Sequence, residues 1–195
     1  MGFKEIFMDS GKGKGLAMIG NDMKRFAEKN GMKVGRKAIY GLYKGYAIAL
    51  RDGWSRSRSL YISMRLEDEA ALKALNDWLN EDKNKSQYWI SSGLADANHC
   101  EINFQDTFGT IRKITAFLED FSDRLRSIGA QGAEVCAECG RNIERGAGRL
   151  VQVGREALML HETCAAALLA GEEPSRCEKV RGLWTRLVGA LHKAG

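Results

Sequence analysis

The chain has 195 residues, 28% of them charged and 44% apolar, a globular composition that excludes collagen, low-complexity fibre and wholesale disorder. That length holds one or two domains, and no run of about 18 apolar residues is present to cross a bilayer as an ordinary helix. The net charge of +5 is unevenly spread: residues 1–65 carry 14 basic and 5 acidic groups, residues 66–130 carry 7 and 12, and residues 131–195 carry 9 and 8.

Residues 1–15 read as a flexible lead-in. Gly11-Lys12-Gly13-Lys14-Gly15 lacks the Gly-Lys-Ser/Thr ending of a phosphate loop and has no strand before it. Asp9, Lys12 and Lys14 interrupt the apolar core a secretory signal needs. The expected compartment is therefore cytoplasmic, where thiols stay reduced. Residues 16–130 read as one α+β domain. Leu16, Ile19, Met23, Phe26 and Ala27 recur at helical spacing, and Asn30-Gly31 stops that helix. Ala38 to Tyr43 and Tyr46 to Arg51 flank Lys44-Gly45 as a hairpin. Leu60 to Met64 follows as a third strand. Glu67-Asp68-Glu69 puts negative charge at a helix N-terminus, and Leu72, Leu75, Trp78 and Leu79 mark its buried face. Gln87 to Ser91 and His99 to Gln105 read as two further strands, separated by Gly93. Cys100, Ile102 and Phe104 form the buried row of the second. Ile111 to Ile128 is a long amphipathic helix closed by Gly129.

This order, α-β-β-β-α-β-β-α, gives an antiparallel sheet with helices on one face. It resembles the small fold of type III secretion chaperones over residues 16–130. The resemblance implies a binding scaffold.

The strongest chemical signal lies in residues 131–173. Cys136-Ala137-Glu138-Cys139 is followed, after 21 intervening residues, by His161-Glu162-Thr163-Cys164. Three thiolates and one imidazole are the donor set of a closed, tetrahedral structural zinc site. A two-residue spacer lets one turn present both sulfurs of Cys136 and Cys139. Leu150 to Val153 and Ala157 to Leu160 read as a hairpin around Gly154-Arg155. Ala165 to Leu169 reads as a helix with His161 and Cys164 at its first turn. Knuckle, hairpin and helix-borne ligands make a treble-clef module. Its spacing resembles the first zinc module of LIM domains, without the second C-x2-C of that family. Three thiolates on Zn²⁺ leave one negative charge, which Arg141 and Arg145 are placed to offset. Glu138 and Glu162 read as solvent-facing, since the histidine-glutamate and Pro-Cys pattern of zinc deaminases is missing. A closed ligand set leaves no position for substrate, and a redox C-x2-C would need no H-x2-C.

Residues 174–195 form a basic tail. Val180, Leu183, Trp184, Leu187, Val188 and Leu191 share one helical stripe. Arg176, Lys179, Arg181, Arg186 and Lys193 stand against Glu178. Such a helix suits a membrane surface, a partner protein or its own domain. The whole plan resembles a group of uncharacterised bacterial zinc-module proteins whose Gly/Ala/Leu-rich tails run into transmembrane helices. The matching pieces are Arg181-Gly182-Leu183 and Gly189-Ala190-Leu191.

Elsewhere the signals are weaker. Trp54 with Arg51, Arg56 and Arg58 would suit nucleic acid but reads better as a solvated loop. His99 reads as a surface residue and Cys100 as an inert core thiol. Cys177 has no assigned role. Three histidines, one of them spent on metal, leave no Ser/His/Asp or Cys/His arrangement legible along the chain. The expectation is a non-enzymatic, zinc-binding adaptor with a protein partner. A nucleic-acid regulator acting through the basic N-terminal third is the second reading.

Overall fold

Successive side chains of a strand point to opposite faces of its sheet, so a strand can bury one row or, where both faces are covered, two. A computed structural model describes residues 19–35, 38–52, 57–105, 110–144, 146–153 and 155–170. Within them the order is α1 (Asn21–Lys29), β1 (Lys33–Val34), β2 (Ala38–Tyr43), β3 (Tyr46–Asp52), β4 (Arg58–Ser63), α2 (Glu69–Asn80), α3 (Asp82–Tyr88), β5 (Ile90–Ala95), β6 (His99–Phe104), α4 (Thr110–Ser127), β7 (Gly148–Val153), β8 (Glu156–His161) and α5 (Glu162–Ala170). The class is mixed α+β. Strands β1-β2-β3-β4-β6-β5 form a six-stranded sheet, and β7-β8 form a separate hairpin. Every strand pair is antiparallel.

The turn between β2 and β3 has Lys44 at φ 46° and Gly45 at φ 90°. Positive φ at both positions is the twist a two-residue hairpin needs. The inner rows of the sheet, including Ile48, Leu50, Leu60, Ile62, Ile102 and Phe104, pack under α1, α2 and α4. Trp78, Phe117 and Phe121 stack there, with Phe117 and Phe121 centroids 4.8 Å apart. Asp68 caps α2, its carboxylate accepting the Ala70 and Ala71 amides at 2.8 and 3.0 Å, a cap of about 1 kcal/mol.

Two expected elements are corrected. Gln87 and Tyr88 are not strand but the end of α3. Tyr88 turns inward against Phe117 and donates to Asp120, and Trp89 at φ 60° redirects the chain into β5. Gly93 does not separate strands; it lies inside β5, opposite Ile102. A Cβ there would come within 3.2 Å of Leu79, so glycine lets α2 press onto the sheet.

The outer face carries a second, smaller cluster. Tyr40, Ala47, Ala49 and Tyr61 from β2, β3 and β4 pack against Ala157 of β8, with Leu150 of β7 alongside. The hairpin thus lies across the back of the sheet. No described helix is long and apolar enough to cross a membrane. The lead-in 1–15, Leu16, Trp54, Arg56, Arg145, Gly154 and the tail 174–195 with Cys177 lie outside the described residues.

Candidate metal centre

After α4 the chain is tied to the sheet at three places. Arg65 and Gln131 exchange backbone hydrogen bonds at 2.8 Å each, and the Ala133 amide donates to the Gly45 carbonyl at 2.7 Å. The Tyr46 hydroxyl donates to the Ala130 carbonyl at 3.0 Å in a buried position. These contacts fix where the next ten residues begin. Val135 then bridges Asn142, the Cys136 amide donates to the Arg141 carbonyl at 2.9 Å, and the Gly140 amide donates to the Cys136 carbonyl at 2.9 Å. Gly140 closes this knuckle at φ 68°. The Ala137 amide donates to the Met159 carbonyl at 3.0 Å, which pins the knuckle to β8.

Strand β8 ends at His161, and Cys164 stands in the first turn of α5. Cys136, Cys139, His161 and Cys164 come together, with one donor atom from each lying within 4.8 Å of the others. All four predicted ligands therefore meet at one point and are close enough to hold a metal ion. Cys136 is buried and the other three are half-buried.

The imidazole is oriented by its second nitrogen. His161 Nε2 lies 3.0 Å from the Asn142 carbonyl. A carbonyl only accepts, so Nε2 carries the proton and donates. In the neutral ring Nδ1 is then left with its lone pair. That atom is 3.4 Å from Cys139 Sγ. The His161 amide donates to Cys136 Sγ at 3.4 Å.

The thiols of Cys139 and Cys164 are driven in opposite directions. Burial would raise the Cys139 thiol, but hydrogen bonds from the Arg141 backbone and side chain, and then from Cys136, bring it down to about 6. The Cys164 thiol is pushed up to about 12 by burial and then by Cys136 and Cys139. A cation removes that conflict, because a metal ligand must be deprotonated. Arg141 is fully exposed and bonds Cys139, which holds its guanidinium above the ordinary value. Of the two arginines expected to offset the charge, Arg141 is the one among the described residues, and it contacts a ligand sulfur.

Glu138 is corrected. It is buried at 7% exposure, not solvent-facing, because it sits where the knuckle folds toward the sheet. Glu162 is exposed and pairs with Arg149 at 2.8 Å. Cys100 is fully buried in the main core, which pushes its thiol well up. His99 is half-exposed, with Nδ1 2.6 Å from Asp96 Oδ2. In the basic N-terminal third, Arg58 pairs with Asp22 at 2.8 Å, Lys44 with Asp123 at 3.3 Å and Arg65 with Glu67 at 2.6 Å.

Sequence reasoning missed the Asn142 carbonyl and Arg65. Arg65 Nη1 donates to the Gly140 carbonyl at 3.4 Å and so links β4 to the knuckle. A cleft of about 290 Å³ runs between that knuckle and the end of β4.

No protein-family model, curated protein or solved structure matches this chain.

Proposed function

We propose that Cys136, Cys139, His161 and Cys164 hold one structural zinc ion and that the chain acts as a binding or adaptor module. The observation that carries the zinc reading is the convergence of the four donor atoms within 4.8 Å. A tetrahedral zinc with bonds of about 2.0–2.3 Å separates its donors by about 3.4–3.8 Å. The 3.4 Å between Cys139 Sγ and His161 Nδ1 falls in that range. Thiolates favour zinc over the hard cations, which take oxygen. Four protein donors fill the shell, so the metal supplies folding free energy rather than a site for substrate. Knuckle, hairpin and a ligand in the first turn of a helix support the treble-clef reading, here as a single module. The antiparallel sheet with helices packed on one face supports a secretion-chaperone-like scaffold. The basic tail 174–195 is the segment proposed to reach a protein partner or a membrane surface.

The test is metal analysis of the full chain purified without added metal. One zinc per chain is expected, and none in Cys139→Ser. A metal-free wild-type chain, or iron at this stoichiometry, overturns the zinc reading. For the adaptor reading, capture of one defined partner or co-sedimentation with anionic vesicles is compared with and without residues 174–195. Identical behaviour of the two chains overturns the role of the tail.

A further inference from the structure

The four proposed ligands do not share one environment. The cleft of about 290 Å³ is lined by Cys136, Cys139 and Gly140 on one side and by Ser63, Met64 and Arg65 on the other. His161 and Cys164 are not on its wall. A small solute in the cleft therefore meets the knuckle before it meets β8 or α5. Cys136 is 1% exposed, whereas Cys139 is half-buried. Cys139 is thus the sulfur within reach, and Cys136 stands behind it. Arg141 hydrogen-bonds Cys139 through both its backbone and its side chain, and its guanidinium is fully exposed. A cationic, partly exposed setting of this kind is where cysteine sulfur reacts with solutes, while a buried thiol such as Cys100 is inert.

The same two sulfurs sit on one turn. The Gly140 amide donates to the Cys136 carbonyl at 2.9 Å, which closes an α-turn. Residues three apart in one helical turn are neighbours, with Cβ atoms about 5–6 Å apart. A disulfide draws its Cβ atoms to about 3.5–4.5 Å, so a bond between Cys136 and Cys139 needs only a small tightening of the turn. Their sulfurs already lie within 4.8 Å. A bond from either to Cys164 would instead have to join the knuckle to α5. The turn also carries ties to the rest of the fold. The Ala137 amide donates to the Met159 carbonyl of β8 at 3.0 Å, and the Gly140 carbonyl accepts from Arg65 at 3.4 Å. A covalent change in the turn is therefore felt by the hairpin and by the sheet.

We propose that Cys136 and Cys139 are a peroxide-sensitive switch on the metal site, whose oxidation to a disulfide opens the site and loosens the hairpin from the knuckle. The switch presupposes the proposed zinc ion, although the disulfide itself does not. As a metal ligand Cys139 is a thiolate. Its Sγ attacks one oxygen of hydrogen peroxide, the O–O bond breaks, hydroxide leaves and Cys139 becomes a sulfenic acid. Cys136 Sγ, also a thiolate, then bonds to Cys139 Sγ and displaces the second oxygen as hydroxide. Two thiolates have given two electrons to the peroxide, and each hydroxide takes a proton from the solvent to become water. His161 and Cys164 remain, two donors where a closed tetrahedral shell needs four.

The experiment treats the full, zinc-loaded chain with a few equivalents of hydrogen peroxide. A chromogenic chelator counts the zinc released. Alkylation in denaturant followed by mass spectrometry maps the disulfide. One zinc released per chain and a Cys136–Cys139 bond are expected, with Cys164 and Cys100 recovered as alkylated thiols. Dithiothreitol is expected to restore zinc binding. Dimedone added with the peroxide should tag Cys139 and not Cys164. Cys177→Ser is expected to respond as the wild type does, and loss of the response in that variant overturns the assignment to the knuckle pair. Hydrogen-exchange protection of β7 and β8 should fall on oxidation and return on reduction. Zinc retained with both knuckle thiols reduced overturns the proposal. So does a disulfide to Cys164, or a Cys136–Cys139 bond that leaves β7 and β8 fully protected. Zinc content before treatment separates the two readings. A chain that carries no metal at that point fails the zinc reading, and absence of the Cys136–Cys139 disulfide after peroxide in that chain overturns the pairing as well.

Discussion

At the scale of single residues, Gly140 is where the knuckle and the sheet constrain the same atom. Its φ of 68° is the left-handed region, and a Cβ there would overlap the Arg65 guanidinium. Arg65 can swing aside, since its contact with the Gly140 carbonyl is long at 3.4 Å. The backbone cannot, and a non-glycine residue in this region costs about 1–2 kcal/mol. Gly140→Ala is expected to lower the stability of the metal-loaded chain by about that amount. Adding Arg65→Ala removes the overlap but not the backbone strain, so it does not restore stability. Urea unfolding of the single and double variants measures both, and full rescue by Arg65→Ala shows that the strain is steric instead.

Asp96 gives the residue scale its pH dependence. Its carboxyl is lowered to about 2 in the folded chain, against about 3.9 for an unperturbed aspartate. A depressed carboxyl stabilises the fold above the unfolded value and loses that contribution as pH falls through the folded one. The window is therefore about pH 4 down to about pH 2. Over that range the wild-type chain is expected to lose stability more steeply than Asp96→Asn. The difference is small, because the side chain is half-exposed and solvent screens it. Urea midpoints for the two chains, measured at several pH values, should converge as the acid is strengthened. Midpoints that stay parallel would show that Asp96 does not titrate differently on folding.

At the scale of elements, legibility tracked periodicity. β2, β3, β4 and β6 and helices α2 and α4 carry clean apolar rows, so both type and position were readable. α3 was not, because Asp82-Lys83-Asn84-Lys85-Ser86 has no apolar period and Tyr88-Trp89-Ile90 looks like strand. Its last residues belong to a helix only because Tyr88 finds Phe117 and Asp120 on α4, which are distant in sequence. β1 has two residues and no pattern to read. The free edge of β5 is also managed by a distant element. Asn76 of α2 donates to the Ala95 carbonyl and accepts its amide at 2.9 and 2.8 Å, and Asn80 donates to the Gly93 carbonyl at 3.3 Å. Side-chain amides there occupy groups that another strand would otherwise pair with. For the metal ligands, spacing was enough. For their support it was not, since the Asn142 carbonyl has no sequence signature and Arg65 reaches Gly140 only through the fold.

At the scale of the whole molecule, the two units differ in how much core each can supply. Among the described residues, twenty-seven buried side chains make the main core, against six around the hairpin and α5. Six do not offset the conformational entropy of ordering that much chain. Structural zinc adds about 10–16 kcal/mol of apparent binding free energy, comparable to the whole stability of a typical domain. The hairpin is nevertheless not independent, since Ala157 and Leu150 share a cluster with Tyr40, Ala47, Ala49 and Tyr61. Two outcomes of metal removal are then distinguishable. If the metal holds the hairpin on the sheet, chelation should strip hydrogen-exchange protection from β7, β8 and α5 while β2 to β6 keep theirs. Tyr40 and Tyr61 should become reactive to iodination, because what covers them has left. If the shared cluster makes one cooperative unit, protection should fall everywhere together. The sizes of the clusters decide for the first: the main core is more than four times the larger in buried residues and lies on the opposite face, where the hairpin makes no contribution to it. Cys139→Ser should reproduce the chelated state at every metal concentration, and protection of β7 and β8 in that variant would show that docking on the sheet suffices without an ion.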